Sequence, residues 1–140
     1  MNELSFATGL VTFSLNSAVE LSFNPTDAAF VERLYNTFDA LDKKQDAYKA
    51  EAEKANGKRE IFDVARKWDA EMRGMIDEAL GASVCDALFG SMNVYAMADG
   101  LPVWANLMLS ILDQVDDSFA KEQSKTNSRI SKYTAKYHKK

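Results

Sequence analysis

Residues 11–27 read VTFSLNSAVELSFNPTD, and this stretch decides the fold because an alternating pattern gives way there to a helix start. Apolar residues fill every second position of two short runs: Val11, Phe13 and Leu15, then Val19, Leu21 and Phe23. A period of two is typical of half-buried strands, and Asn16-Ser17 suits a tight turn between them. We therefore expect a β-hairpin within residues 4–23, in which Leu4 and Phe6 lengthen the first strand. Because a lone hairpin is marginally stable, it should pack on helices or pair with another chain.

Helix signals follow the hairpin. Asn24 suits an N-cap and Pro25 the first helical position, so a helix should begin there and continue to residue 55. Its far half, residues 42–54, is polar and alanine-rich and should form a solvated rod. Further helix boundaries are expected at Gly81, at a capping box over residues 83–86, at Gly90 and at Pro102.

The expected fold class is α+β and mainly α: an N-terminal β-hairpin followed by three to four helices, with a long basic C-terminal helix. The alternative is an all-helical fold in which the hairpin forms only with a partner. Five methionines are expected to fill the core, and a Met-bearing peptide groove is the minority alternative. They are Met72, Met75, Met92, Met97 and Met108.

The composition is that of a globular protein, with 46% hydrophobic and 27% charged residues in a chain of 140. We expect a single globular domain over residues 1–120 (hairpin 4–23, helices 25–119) and a basic extension over 121–140, either helical or disordered. No segment has the ~20 consecutive apolar residues that span a bilayer. Met1-Asn2-Glu3 lacks the features of a signal peptide. These observations predict a cytoplasmic protein without membrane contact.

The net charge of −4 conceals an asymmetry along the chain. Residues 121–140 carry +6, with seven Lys or Arg against Glu122 alone, so residues 1–120 carry −10 with His138 neutral. On a helical wheel the cations of this tail, including Lys139 and Lys140, share one face, with apolar residues beside it. The candidate partner-binding residues are Lys121, Lys125, Arg129, Lys132, Tyr133, Lys136 and Tyr137.

Three interpretations of the tail stay open. It is a solvated C-terminus whose cations favour the negative end of a helix, or a docking segment for an acidic partner surface, including the body of a neighbouring copy. Nucleic-acid binding is the third and is disfavoured, because the acidic body repels a duplex and no nucleic-acid motif is present.

The sequence offers little for catalysis or metal binding. His138 and Cys85 are the only residues of their types and lie 53 positions apart, which excludes the usual zinc ligand sets. Asp113, Asp116 and Asp117 are close on a helix but lack the spacing of a calcium loop. There is no glycine-rich phosphate loop. We expect no cofactor, no metal and no enzymatic activity, and an inert Cys85 in the core.

Several short motifs of this sequence are similar to motifs that occur in the same order in one known protein family. They are the helix start at residues 24–27 with Phe30 and Leu34, then Trp68, residues 76–81 (IDEALG), residues 88–90 (LFG), Asn93, and residues 129–133 (RISKY) before a basic terminus. In this layout the chain resembles small proteins from the tail-gene modules of long-tailed phages and prophages of Gram-positive bacteria. Those proteins are regarded as tail assembly chaperones or related tail components.

The resemblance implies a non-catalytic chaperone in the bacterial host cytoplasm. Its partner would be the tape measure protein, or another phage tail protein, and it would act as a homo-oligomer. The apolar hairpin or a Met-bearing groove would hold client helices, and the basic tail would link copies. The alternatives left open are a structural or regulatory phage protein that binds other proteins (a virion component or a host-factor inhibitor), and a nucleic-acid-associated protein.

Overall fold

The computed structural model describes residues 1–125 and 128–137, and only the backbone of Tyr137. Its elements are β1 (Val11–Leu15), β2 (Val19–Phe23), α1 (Ala28–Glu53), α2 (Lys58–Leu80), α3 (Cys85–Phe89), β3 (Met97–Ala98), β4 (Leu101–Pro102), α4 (Val103–Ser124) and α5 (Arg129–Tyr137). The expected fold class is confirmed: a mainly helical α+β chain with an N-terminal hairpin and a C-terminal helix. His138, Lys139 and Lys140 lie outside the described residues.

The N-terminal hairpin forms where the alternating pattern predicts it. β1 and β2 are antiparallel, in a register that runs from Val11 opposite Phe23 to Leu15 opposite Val19. Asn16 and Ser17 have φ angles of 50° and 57°. Two successive left-handed residues are what a type I′ turn requires, and asparagine tolerates that conformation.

The first ten residues, which we call the N-terminal arm, do not lengthen β1, so that expectation is wrong. Residues 1–10 form no strand, and Leu4 and Phe6 are 92% and 82% exposed. The reason lies at the root of the arm. Gly9 turns the chain with a φ of 76°, and Asn24 Nδ2 donates to the Thr8 carbonyl at 2.8 Å. This clamp ties Thr8, close to the start of β1, to the β2–α1 junction.

Helix α1 begins later than expected, because Asn24 is not its cap. Asn24 Oδ1 accepts from the Thr26 backbone N–H at 2.8 Å, which is an Asx-turn. Asp27 is the N-cap, and its Oδ1 accepts from Ala29 N at 3.0 Å. Because the Asn24 side chain bonds within this local turn, it does not cap α1.

The far half of α1 is not a solvated rod, because α2 folds back along it. Lys44 Nζ lies 2.6 Å from the Glu71 carboxylate, and the Glu51 carboxylate accepts from Trp68 Nε1 at 2.7 Å. These pairs run in opposite directions along the two helices, which are therefore antiparallel. The polar composition of residues 42–54 therefore reflects a polar interface between two helices.

The core lies between the hairpin, α1, α2 and α4. Phe13, Phe23 and Phe30 stack in a row, with ring centroids 4.8 Å and 4.5 Å apart. The largest fully buried side chains include Leu34, Leu41, Met72, Ile76 and Met108. Trp104 is 2% exposed, and its Nε1 donates to Gln45 Oε1 at 2.6 Å, which satisfies its buried polar atom.

The basic extension expected over residues 121–140 does not form a single helix in the part that the structure describes. α4 ends at Ser124, and Lys125 has an extended backbone with ψ 142°. Ser124 Oγ donates to the Lys121 carbonyl at 2.7 Å, the side-chain hydrogen bond by which serine competes with helix continuation. A new helix, α5, starts at Arg129.

Candidate protein-binding surfaces

Helix α5 carries two neighbouring stripes of different chemistry. Its basic stripe follows the spacing i, i+3, i+7 and consists of Arg129, Lys132 and Lys136. Its apolar stripe has the same spacing one position on and consists of Ile130, Tyr133 and, by backbone position, Tyr137. Ile130 is 80% exposed and Tyr133 is 50% exposed. Residues with this spacing share one helix face, so α5 presents cations and apolar side chains together to water.

The two remaining candidates of the tail do not join that surface through one helix. Lys121 lies in the last turn of α4, and Lys125 follows it after the end of the helix. Lys125 Nζ forms an exposed ion pair with Glu122 at 3.1 Å. Of the seven predicted residues, the structure thus gathers five on α5 and leaves two at the end of α4.

A second surface, which the sequence does not reveal, is a groove of about 440 Å³ between the hairpin and α4. Half-buried or buried apolar side chains form its floor, and exposed Ser14 and Ser110 lie at its rim. The floor residues are Leu15, Leu88, Phe89, Val103 and Leu107. We call this the hairpin groove. The sequence does mark Leu88-Phe89-Gly90 as a helix end, but the partners that complete the groove come from distant parts of the chain.

Arg73 of α2 holds the segment that builds one wall of the hairpin groove. Its guanidinium bonds the Asp69 carboxylate at 3.1 Å and the Asp86 carboxylate at 2.9 Å. It also donates to the Gly90 and Met92 carbonyls at 2.8 Å and 2.6 Å. The Arg73 side chain is only 14% exposed. Charge-assisted bonds of this kind are about twice as strong as neutral ones, so Arg73 fixes α3 and the turn after it.

Helix α3 is capped from α2, and not by its own residues. Asp77 Oδ1 accepts from Val84 N at 2.9 Å and from Cys85 N at 3.1 Å. No side chain at the N-cap position bonds the helix, so the capping box expected at residues 83–86 is wrong. Asp77 lies close in space because Gly81 ends α2 in a left-handed conformation and reverses the chain.

The hairpin and the methionines are mostly used inside the fold. Leu21 and Phe23 are 2% and 6% exposed, so the apolar face of the hairpin packs on the core and is not free for a client. Met72 and Met108 are fully buried, in agreement with the core-filling expectation. Met92 and Met97 are half or more exposed. The five residues therefore do not line one common groove.

Two titratable groups of the core are perturbed by burial. Burial raises the pKa of the Cys85 thiol to about 12, with a smaller contribution from the negative charge of Asp77. Burial also raises the pKa of the Tyr95 hydroxyl, which has no hydrogen-bond partner among the described residues. The Tyr95 ring stacks on Tyr48 at 4.2 Å. Both side chains are enclosed by packing, and neither lines the hairpin groove.

Comparisons with known proteins do not extend this description: no family model, no curated protein and no solved structure matches the chain. Across residues 1–125 and 128–137, no three His, Cys, Asp or Glu side chains are placed to hold a metal ion. Within the same ranges, no helix has the length and apolarity needed to cross a membrane. The two surfaces that remain for a functional argument are α5 and the hairpin groove.

Proposed function

We propose that this chain is a non-catalytic phage tail assembly chaperone that binds the tape measure protein and keeps it soluble during tail assembly. The observation that carries the proposal is the surface of α5. Ile130 and Tyr133 expose 80% and 50% of their area beside the basic stripe. An exposed apolar stripe rimmed by charge is typical of a helix that binds another protein.

The chemistry of α5 fits a helical client with acidic residues beside its own apolar stripe. Helices associate through apolar positions at i, i+3 and i+7, and flanking charges select the partner and its orientation. Nine residues of helix are about 14 Å long. One copy would therefore cover only a short part of a long client, so this mode of binding requires many copies per client molecule.

The charge of the rest of the chain supports the same role. Residues 1–120 carry −10 against +6 in residues 121–140. Copies bound through their basic helices would present acidic bodies to water, and like charge opposes aggregation of the coated client. Asp113, Asp116 and Asp117 are exposed on α4 and contribute to this acidic surface.

The test is co-expression of the full chain with the tape measure protein from the same phage or prophage. The readouts are the soluble fraction of the tape measure protein and the mass of the complex by size-exclusion chromatography with light scattering. Two variants address the two stripes: Ile130→Ser with Tyr133→Ser, and Arg129→Glu with Lys132→Glu and Lys136→Glu. A charge control replaces Lys49, Lys58 and Arg59, which are exposed on α1 and α2, by Glu.

We expect the wild-type chain and the charge control to keep the tape measure protein soluble, with many copies in the complex. Both α5 variants should lose that effect. If the tape measure protein is equally soluble without the chain, the chaperone proposal fails. If it is soluble only with the chain but both α5 variants remain active, the function stands and its assignment to α5 fails.

A further inference from the structure

We propose that the N-terminal arm of one copy docks in the hairpin groove of a second copy, so that the chain self-associates by exchanging arms. This proposal concerns self-association alone and does not depend on the client. The arm and the groove are on one chain, yet the arm does not occupy the groove. Leu4 and Phe6 remain 92% and 82% exposed to water.

The arm has the pattern of a strand that lacks a partner. Leu4 and Phe6 alternate with Glu3, Ser5 and Ala7. An extended segment with this period places its apolar side chains on one side. Such segments bind other proteins by adding to an open sheet edge, with alternate side chains inserted into pockets.

The hairpin groove offers both parts of that binding mode. β1 pairs only with β2 among the described strands, so its other edge is open. The end of β1 borders the groove, with Ser14 at its rim and Leu15 in its floor. The floor is apolar and is shared by Leu88, Phe89 and Leu107. An arm laid along β1 would thus find backbone partners and an apolar floor in one place.

The geometry at the root of the arm favours a second copy over the same chain. The clamp between Thr8 and Asn24 lies at the end of the hairpin where Val11 pairs with Phe23. The groove lies at the other end of β1, about 14 Å away for four strand residues. Phe6 is only two residues from the clamped Thr8, and two extended residues span about 7 Å, which is too short to reach that end of its own hairpin. The groove of a neighbouring copy is not subject to this limit, because the clamp fixes the arm only relative to its own hairpin.

The area involved is sufficient for a stable dimer. A buried Phe contributes about 200 Å² and a Leu somewhat less. Two exchanged arms, together with the groove surface that they cover, would bury about 1,400 Å², within the range of specific protein interfaces. Reciprocal exchange also gives each copy the same role, as expected of a symmetric dimer.

The first experiment crosslinks variants that each carry one added cysteine. A tagged, longer chain with Leu4→Cys is mixed with an untagged chain with Ser110→Cys, and a short bis-maleimide is added. The wild-type chain, whose Cys85 is buried, shows the background reaction. Lys58→Cys in place of Ser110→Cys is the control for random collision. We expect a product joining the tagged and untagged chains, near twice the chain mass of 15.6 kDa, only with Ser110→Cys.

The second experiment measures self-association by analytical ultracentrifugation. Leu4→Ser with Phe6→Ser should weaken it by more than about 100-fold, because a reciprocal dimer loses the burial of four apolar side chains. Both side chains are exposed and outside the core, so the fold should persist. Phe62→Ser, at a residue 57% exposed on α2, should change the dissociation constant less than about twofold.

Three results would overturn the proposal. A link that forms within a chain carrying both cysteines, but not between chains, would mean that each arm occupies its own groove. A monomeric wild-type chain would exclude exchange. An arm variant with unchanged mass that no longer co-purifies with the tape measure protein would assign the arm to the client.

Discussion

Replacing Arg73 by Met should destabilise the fold strongly, because it removes the side chain that ties α3 and residues 90–92 to α2. The guanidinium makes four bonds, to the Asp69 and Asp86 carboxylates and to two backbone carbonyls. Without Arg73, water can bond to the exposed Asp86 and to the two carbonyls. The Asp69 side chain is only 19% exposed and would lose its cation. Breaking a largely buried pair from one side costs about 3–5 kcal/mol, and we expect the lower end, about 3 kcal/mol, because water reaches part of this site.

The assay is urea unfolding followed by circular dichroism and by the fluorescence of Trp68 and Trp104. Arg66→Met is the matched control. Arg66 lies about two turns closer to the start of α2, in an ion pair with Asp63 whose side chains are 70% and 60% exposed. It should cost less than about 0.5 kcal/mol. Arg73→Lys keeps the charge but lacks the forked donors of the guanidinium. Its loss of unfolding free energy should lie between those of Arg73→Met and Arg66→Met. If the free energy of unfolding of Arg73→Met lies within about 1 kcal/mol of the wild-type value, the proposed role of Arg73 in holding the groove wall is wrong.

Two further predictions concern the buried titratable groups. Since the folded thiol of Cys85 has its pKa raised from 9.0 to about 12, its stabilising contribution is complete below pH 9 and is lost as the pH rises towards 12. Cys85→Ala should make the fall of stability between pH 9 and 11 shallower by up to about 1.4 kcal/mol per pH unit in urea titrations, and parallel curves would contradict this. Tyr95→Phe should leave the free energy of unfolding unchanged or raise it by up to about 1 kcal/mol, because the hydroxyl has no partner among the described residues. If Tyr95→Phe instead lowers the free energy of unfolding, the hydroxyl has a hydrogen-bond partner and the prediction is wrong.

The parts of the fold that the sequence predicts well depend on neighbouring residues. The alternation in β1 and β2 and the turn at Asn16-Ser17 are enough to locate the hairpin in the sequence. Gly81 ends α2 in the left-handed conformation that glycine adopts without strain. In each case the deciding interaction lies within about four residues of the signal, where a pattern in the sequence is sufficient.

The predictions that failed involve competition between nearby signals or contacts between distant ones. Asn24 and Asp27 are both good caps, and only the geometry of the Asx-turn decides between them. The polar half of α1 looked solvated because the partner of Glu51, Trp68, lies 17 residues further along the chain. A polar sequence is compatible with water or with a polar helix interface, and periodicity alone does not distinguish the two.

The hairpin groove could not be predicted for the same reason. Its wall depends on Arg73 and Asp77, which the sequence presents only as charged positions of an amphipathic helix. Within residues 84–92, Arg73 donates to the backbone carbonyls of Gly90 and Met92, and Asp77 accepts from the backbone N–H groups of Val84 and Cys85. A backbone partner leaves no mark in the sequence. The basic and apolar stripes of α5 were easier to predict, because one helix contains all of their residues.

The distribution of buried and exposed apolar residues separates folding from binding along the chain. Among the described residues, every member of the buried core cluster lies between Leu21 and Val115. The most exposed large apolar side chains lie outside that range, in the N-terminal arm and at Ile130 on α5. The core is closed without them, so contacts that remove them from water would add to the fold and would not replace its packing. The two terminal segments can therefore change partners without altering the packing that holds the fold together.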